Sequence, residues 1–237
     1  MAKTFNDPAL CYLCGVPIGK TAATLDHAPP QRLFPSGLRL TLKVPLLTLK
    51  THPNCHEPWK RDEEYFFNTF LPHALDAPLG AQLADDFKKS LKYQGNRNLA
   101  LTVKKQFEQN PSGLVLPGDM VGQKFDGTRL TRVIWKIVRG LYFADNGQTA
   151  VLPEWTPRKI EIYGPMDPPA PDFVIAIMGE PSRGIVPEVL DYKVFKTDDP
   201  PAQYWDLLLW ERYVLFVAFH EPSLCTCDLC EKGKADG

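Results

Sequence analysis

The chain has no apolar run long enough to span a bilayer, no internal repeat, no low-complexity linker and almost no net charge. With a formal net charge of −1, it lacks the global positive field that holds a protein to nucleic acid or to an anionic membrane. Any polyanion site must therefore be local. The first residues, MAKTFNDPALCYLCG, hold no apolar stretch fit for a signal peptide, and later apolar runs fall far short of the roughly twenty residues of a membrane helix. A cytoplasmic protein without a membrane partner is expected. Apolar residues are ample in the 237-residue chain, enough for one good-sized domain or two small ones.

Cysteine is scarce but not scattered. The six cysteines sit at three places: Cys11/Cys14, Cys55, and Cys225/Cys227/Cys230. In an intracellular chain, two-residue spacers favour metal over disulfide. A redox dithiol of Cys11 and Cys14 would need a βαβ setting, which the surrounding sequence does not offer. Three of the five histidines, His27, His52 and His56, fall in the same N-terminal quarter.

Periodicity divides the chain into segments 1–75 and 76–237 within an α+β fold class. In the first, the alternation of LRLTLKV and PLLTLKT predicts a short hairpin, and HEPWKRDEEYFFNTFL changes to helical spacing, with Trp59, Phe66, Phe67, Phe70 and Leu71 near one face. The second opens with helices over LDAPLGAQLADDFKKSLKY and NRNLALTVKKQFEQ. TRLTRVIWKIVRGLYFADNG then places Leu130, Val133, Ile134, Ile137, Val138 and Leu141 on a helical stripe, with a stop at Gly147. RKIEIYG, PDFVIAIMG, PEVLDYKVF and YVLFVAF read as strands of an antiparallel sheet packed on that helix. The tail EKGKADG reads as disordered.

Cys11-Tyr-Leu-Cys14 offers two thiolates at knuckle spacing, and His52-Pro-Asn-Cys55 an imidazole and a thiolate at the same spacing. Together they make a closed Cys₃His tetrahedron suited to structural Zn²⁺. Such a site leaves no open position for a substrate. Asp26-His27, followed by two prolines, and His56, directly after Cys55, are not used by it.

This pattern resembles the HNH endonucleases, the ββα-metal family, in a version flanked by zinc knuckles. It comprises the Cys11/Cys14 knuckle, Asp26-His27-Ala-Pro-Pro, a hairpin, then His52-x-x-Cys55-His56 with Lys60 and Asp62-Glu63-Glu64 on the helix, over roughly residues 10–70. Two features depart from it: many relatives have cysteine at the position of His52, and the hairpin asparagine has no counterpart in PLLTLKT. Thr48 or a backbone carbonyl is left to take that place.

The resemblance implies a zinc-stabilised ββα-metal module that hydrolyses phosphodiester bonds of DNA. His27 would be the general base, and Asp26 and His56 would hold one catalytic divalent metal, Mg²⁺ or Mn²⁺. Residues 28–56 contain Arg32, Arg39, Lys43 and Lys50 and no acidic residue, so the hairpin is locally basic, and Lys60 could also reach a phosphate. Asp62, Glu63 and Glu64 read as a solvated helix face. A module that nicks one strand would act as a homodimer or within a larger defence-type complex. The alternative is a non-catalytic zinc-binding adaptor or nucleic-acid-binding protein with a degenerate site.

At the far end, His220, Cys225, Cys227 and Cys230 supply four ligands for a second zinc. The same cysteines could instead complete another site in space or remain free thiols on a mobile tail.

Overall fold

A computed structural model describes residues 9–19, 23–42, 46–108, 122–147, 149–164, 171–177, 179–184, 186 and 188–236. Its fold is mixed α+β with antiparallel sheets. A hairpin pairs strand β1 (Thr24–His27) with β2 (Thr48–Thr51), joining Asp26 to Leu49 and His27 to Thr48. Asp26 and Leu49 face inward, whereas Leu25 and its partner Lys50 face solvent. A one-turn helix α2 (Pro53–His56) and helix α3 (Trp59–Phe70) follow, with Phe66, Phe67 and Phe70 buried as their spacing predicted.

The hairpin is not the one that the alternation suggested. LRLTLKV contributes a helix, α1 (Ser36–Leu42), and the partner of β2 comes from the earlier segment that ends in Asp26-His27. In a run of L-R-L-T-L, period two and a single helical turn are hard to tell apart. Here the Asp86 carboxylate accepts from the Ser36 backbone N–H and hydroxyl, both at 2.6 Å, and fixes the start of the helix. Leu38 packs on the core while Leu40 points to water.

Helices α4 (Gly80–Ser90) and α5 (Gln94–Lys104) lead to a small ladder of β3 (Phe107–Glu108) with β4 (Gly122–Gln123). The long helix α6 (Gly127–Asp145) starts at Asp126, whose side chain accepts from the N–H groups of Thr128 and Arg129. Gly147, where the helix was expected to stop, has φ 93°.

The main sheet has the order β5 (Arg158–Tyr163), β8 (Tyr213–His220), β7 (Pro201–Leu209), β6 (Leu190–Asp198). Leu215, Val217 and Phe219 of β8 join the core that includes α6, whereas Phe216 points to the other face, against Val174 and Ile177. Those two belong to helix α7 (Asp172–Ile177), where PDFVIAIMG was read as a strand. Residues three apart are buried and Ile175 between them is exposed, which only a helix lying on the sheet arranges. The central strand β7 has no counterpart in the sequence reading, because buried Gln203 and Asp206 interrupt its apolar pattern.

The segments 1–75 and 76–237 share one core: Phe67 and Phe70 meet Trp210 and Tyr213, and the Trp210 indole donates to the Leu33 carbonyl at 3.0 Å. The last helix, α8 (Asp228–Asp236), takes in residues 231–236 of the tail expected to be disordered, with Gly233 set against the Trp155 ring. Among the described residues, no helix is long and apolar enough to cross a membrane.

Two Cys₃His clusters and a candidate active-site cleft

Both sets of soft ligands converge. The donor atoms of Cys11, Cys14, His52 and Cys55 lie within 4.8 Å of one another, as do those of His220, Cys225, Cys227 and Cys230. A tetrahedral zinc with ordinary Zn–S and Zn–N lengths has N···S edges of about 3.5 Å. His52 Nδ1 is 3.4 Å from Cys14 Sγ and 3.9 Å from Cys55 Sγ, and His220 Nδ1 lies 3.3, 3.2 and 3.7 Å from the sulfurs of Cys225, Cys227 and Cys230. Each cluster could hold a metal ion, and the donor set is that of zinc.

Each cluster also has one sulfur prepared for charge. Burial opposes a thiolate at Cys11, but the Thr51 hydroxyl and backbone N–H groups outweigh it and bring the thiol down to about 6. The Cys230 amide, with neighbouring thiols, does the same for Cys227, also to about 6. Burial and adjacent sulfurs push Cys55 and Cys230 up to about 12. Metal uptake must therefore expel the protons of Cys55 and Cys230.

A different set of groups meets one residue further along the chain. A cleft of about 220 Å³ brings together Asp26 and His27 from β1, His56 from the end of α2, and Lys60 and Glu63 from α3. His56 Nδ1 lies 3.2 Å from Asp26 Oδ1, yet it is buried and makes no hydrogen bond with any described group. A carboxylate oxygen and an imidazole nitrogen facing each other at ion-pair distance but outside hydrogen-bond geometry suit a shared cation. The three residues that the sequence singled out for chemistry are thus assembled in space.

Asp26 is 3 % exposed and has further partners. The Tyr12 hydroxyl donates to its Oδ2 at 2.5 Å, and the ammonium of Lys136, from the middle of α6, sits 2.9 and 2.8 Å from its two oxygens. Lys136 also bonds Glu63. Burial works against the charge of Asp26, but Lys136, Tyr12 and His56 overcome it and hold the carboxyl below its usual range. At Glu63 burial wins and the carboxyl moves up. Burial, helped by the charges of Arg39 and Lys136, keeps His27 below the ordinary histidine value.

The acidic run on α3 is not the solvated face expected of it. Asp62 is gripped by Arg129 at 2.7 Å and Arg132 at 2.6 Å, Glu63 by Lys136, and Glu64 by Arg32 at 2.8 Å. Arg32 is drawn inward as a result, stacked over Phe67 and donating to Ser90, while it also lines the cleft beside Asp26, His27 and His56. Arg39 is half-buried and donates to the Phe34 carbonyl; Lys50 and Lys60 are exposed, the latter beside Glu57. Lys43 lies outside the described residues. Thr48 stands opposite His27, but its hydroxyl donates to Leu46; the loop after His27 is tied instead by the Ala28 N–H to the Leu47 carbonyl at 3.2 Å.

Lys136 and Tyr12 were not singled out from the sequence, and Glu63 was read there as part of a solvated helix face. One signal was present: Lys136 and Arg139 interrupt the apolar stripe of VIWKIVRG, and a buried cation demands a buried anion.

No protein-family model, curated protein or solved structure matches the chain. The functional reading therefore rests on the chemistry of the site.

Proposed function

We propose that the protein is a metal-dependent HNH-type endonuclease hydrolysing phosphodiester bonds of DNA. The observation that carries this reading is the meeting of Asp26, His27 and His56 in one cleft, on a strand–strand–helix unit braced by a separate Cys₃His cluster. Asp26 and His56 would hold Mg²⁺ or Mn²⁺, and their fit is supported by the buried His56 Nδ1, which faces Asp26 Oδ1 at 3.2 Å without a hydrogen bond. Bound there, the cation supplies charge neutralisation for the phosphorane and the leaving oxygen.

The remaining work falls to the chain. His27, kept neutral by its surroundings, takes the proton of the attacking water. Lys60, exposed at the cleft, meets a phosphate, and Lys50 extends the positive edge along the hairpin. The backbone tie from Ala28 to Leu47 fixes the loop behind the base, a task that the family gives to an asparagine side chain.

A plasmid-nicking assay with Mg²⁺ or Mn²⁺ tests this. His27→Ala should abolish cleavage while zinc content and fold are kept, and cleavage unaffected by that change would refute the mechanism. The adaptor reading draws on one observation, that Tyr12 and Lys136 already engage both oxygens of Asp26. DNA binding without cleavage by the wild-type protein in either metal would decide for it.

A further inference from the structure

Lys136 is completely buried, and its ammonium lies between two carboxylates that also face the cleft. It arrives from far away in sequence, on the α6 face that packs against the first segment: Gly140, one turn on, abuts Ala28, and Phe143 meets Tyr12. A simple structural ion pair would need one acid. Here the cation spans two, Asp26 from β1 and Glu63 from α3, and the first of these also faces the buried His56 Nδ1 at 3.2 Å without a hydrogen bond.

We propose that Lys136 is a positioning residue that acts as a built-in counter-cation, holding Asp26 and Glu63 in place for a divalent metal while setting the site's affinity for that metal low. The proposal rests on the nuclease reading and deepens it, adding Glu63 as a second carboxylate of the metal's surroundings. With Asp26 and Glu63 ionised and Lys136 protonated, the group carries one net negative charge. An entering dication gains from both carboxylates and is repelled by the ammonium a few ångströms away, in surroundings that screen poorly. A phosphodiester bound at the cleft adds a negative charge, so firm metal capture becomes coupled to substrate. Lys136 thus does at rest, with one fixed charge, part of what the metal does during the reaction.

The test is Mn²⁺ binding to the zinc-loaded full-length protein without DNA, followed by electron paramagnetic resonance or calorimetry. Electrostatics gives an ordering. Lys136→Met leaves two net negative charges and should bind Mn²⁺ at least about tenfold more tightly than wild type. Glu63→Gln leaves none and should bind at least about tenfold more weakly. The Lys136→Met/Glu63→Gln double variant restores one net negative charge and should return to within about threefold of wild type.

Lys136→Met binding no more tightly than wild type overturns the proposal, because a merely structural lysine would weaken the site when removed. If Lys136→Met does not fold without metal, Glu63→Gln and the double variant still decide: equal affinity in Glu63→Gln and wild type overturns it. His56→Ala separates this inference from the reading beneath it. Mn²⁺ binding lost in His56→Ala but indifferent to Lys136 and Glu63 refutes the counter-cation alone, whereas wild-type binding that does not depend on His56 refutes the nuclease site and the counter-cation together.

Discussion

Cys55 and His56 are neighbours in the chain and belong to different sites. Cys55 Sγ is 3.9 Å from His52 Nδ1 in the first cluster, whereas His56 Nδ1 is 3.2 Å from Asp26 Oδ1 in the cleft. The single turn of α2 makes this possible, since successive helical residues point about 100° apart. A metal that holds Cys55 thereby aims His56, and the structural cluster and the cleft are mechanically linked through one peptide bond.

From this follows an expectation about metal content. The wild-type protein should carry two zinc ions per chain, one for each Cys₃His cluster. Cys14→Ser and Cys227→Ser should each retain one. Loss of the first should also abolish nicking, because it frees His56, whereas loss of the second, at the end of β8, should cost stability and spare the cleft. Elemental analysis and nicking assays on the same preparations check both. Zinc titrated into the metal-free protein in weak buffer should release protons, as the raised thiols of Cys55 and Cys230 require.

The proposed base, His27, sets a second expectation. Burial and nearby cations favour neutral His27, so its folded-state value lies below 6.5 and the unprotonated form persists into mildly acidic solution. The acid limb of the nicking rate should therefore fall below pH 6.5. A half-maximal point above pH 7 would mean that another group limits the reaction.

What the sequence made legible follows the range of the interactions. Cys-x-x-Cys, His-x-x-Cys and Asp-His carry their chemistry in local spacing, and both clusters and the cleft formed where those spacings pointed. The stripe on α6 was equally plain, because its apolar repeat is long. By contrast, Lys136 meets Asp26 across 110 residues and Glu63 across 73, so no local pattern announces either contact. Glu63 looked solvated because an acidic run at a helix start usually is; here each member has a basic partner from another element. The short apolar runs of α1 and α7 fit either period, and only the surface each one covers decides between helix and strand.

Gly140 provides a packing test. A Cβ there would lie 2.2 Å from the Ala28 Cβ, directly after His27, and 3.5 Å from Leu49 and Tyr12. Alanine in a helix interior normally gains about 1 kcal/mol over glycine, but overpacking of this kind costs about 1–3 kcal/mol. Gly140→Ala should lower the melting temperature by several degrees and reduce nicking by displacing β1. Gly95→Ala, on α5 with nothing within 4 Å of the added carbon, should be neutral or slightly stabilising and serves as the control.

Asp206, on the central strand β7, sets an expectation about pH that is independent of the cleft. Its carboxylate is buried at 3 % exposure, and neither oxygen has a hydrogen-bond partner among the described residues. Burial pushes its carboxyl up to about 7, against the opposing charge of Lys193. The folded chain therefore keeps this proton up to about pH 7, while the unfolded chain releases it near 3.8. Between those values the unfolded state binds fewer protons, so the contribution of Asp206 to stability declines as pH rises, by a few kcal/mol in all. Asp206→Asn removes the ionisable group and nearly preserves the shape. Denaturant unfolding of the variant and the wild type should give similar stabilities below pH 3.8 and a gap favouring the variant that widens up to about pH 7 and then levels off. A gap independent of pH would show that the carboxyl ionises as readily in the folded protein as in the unfolded chain.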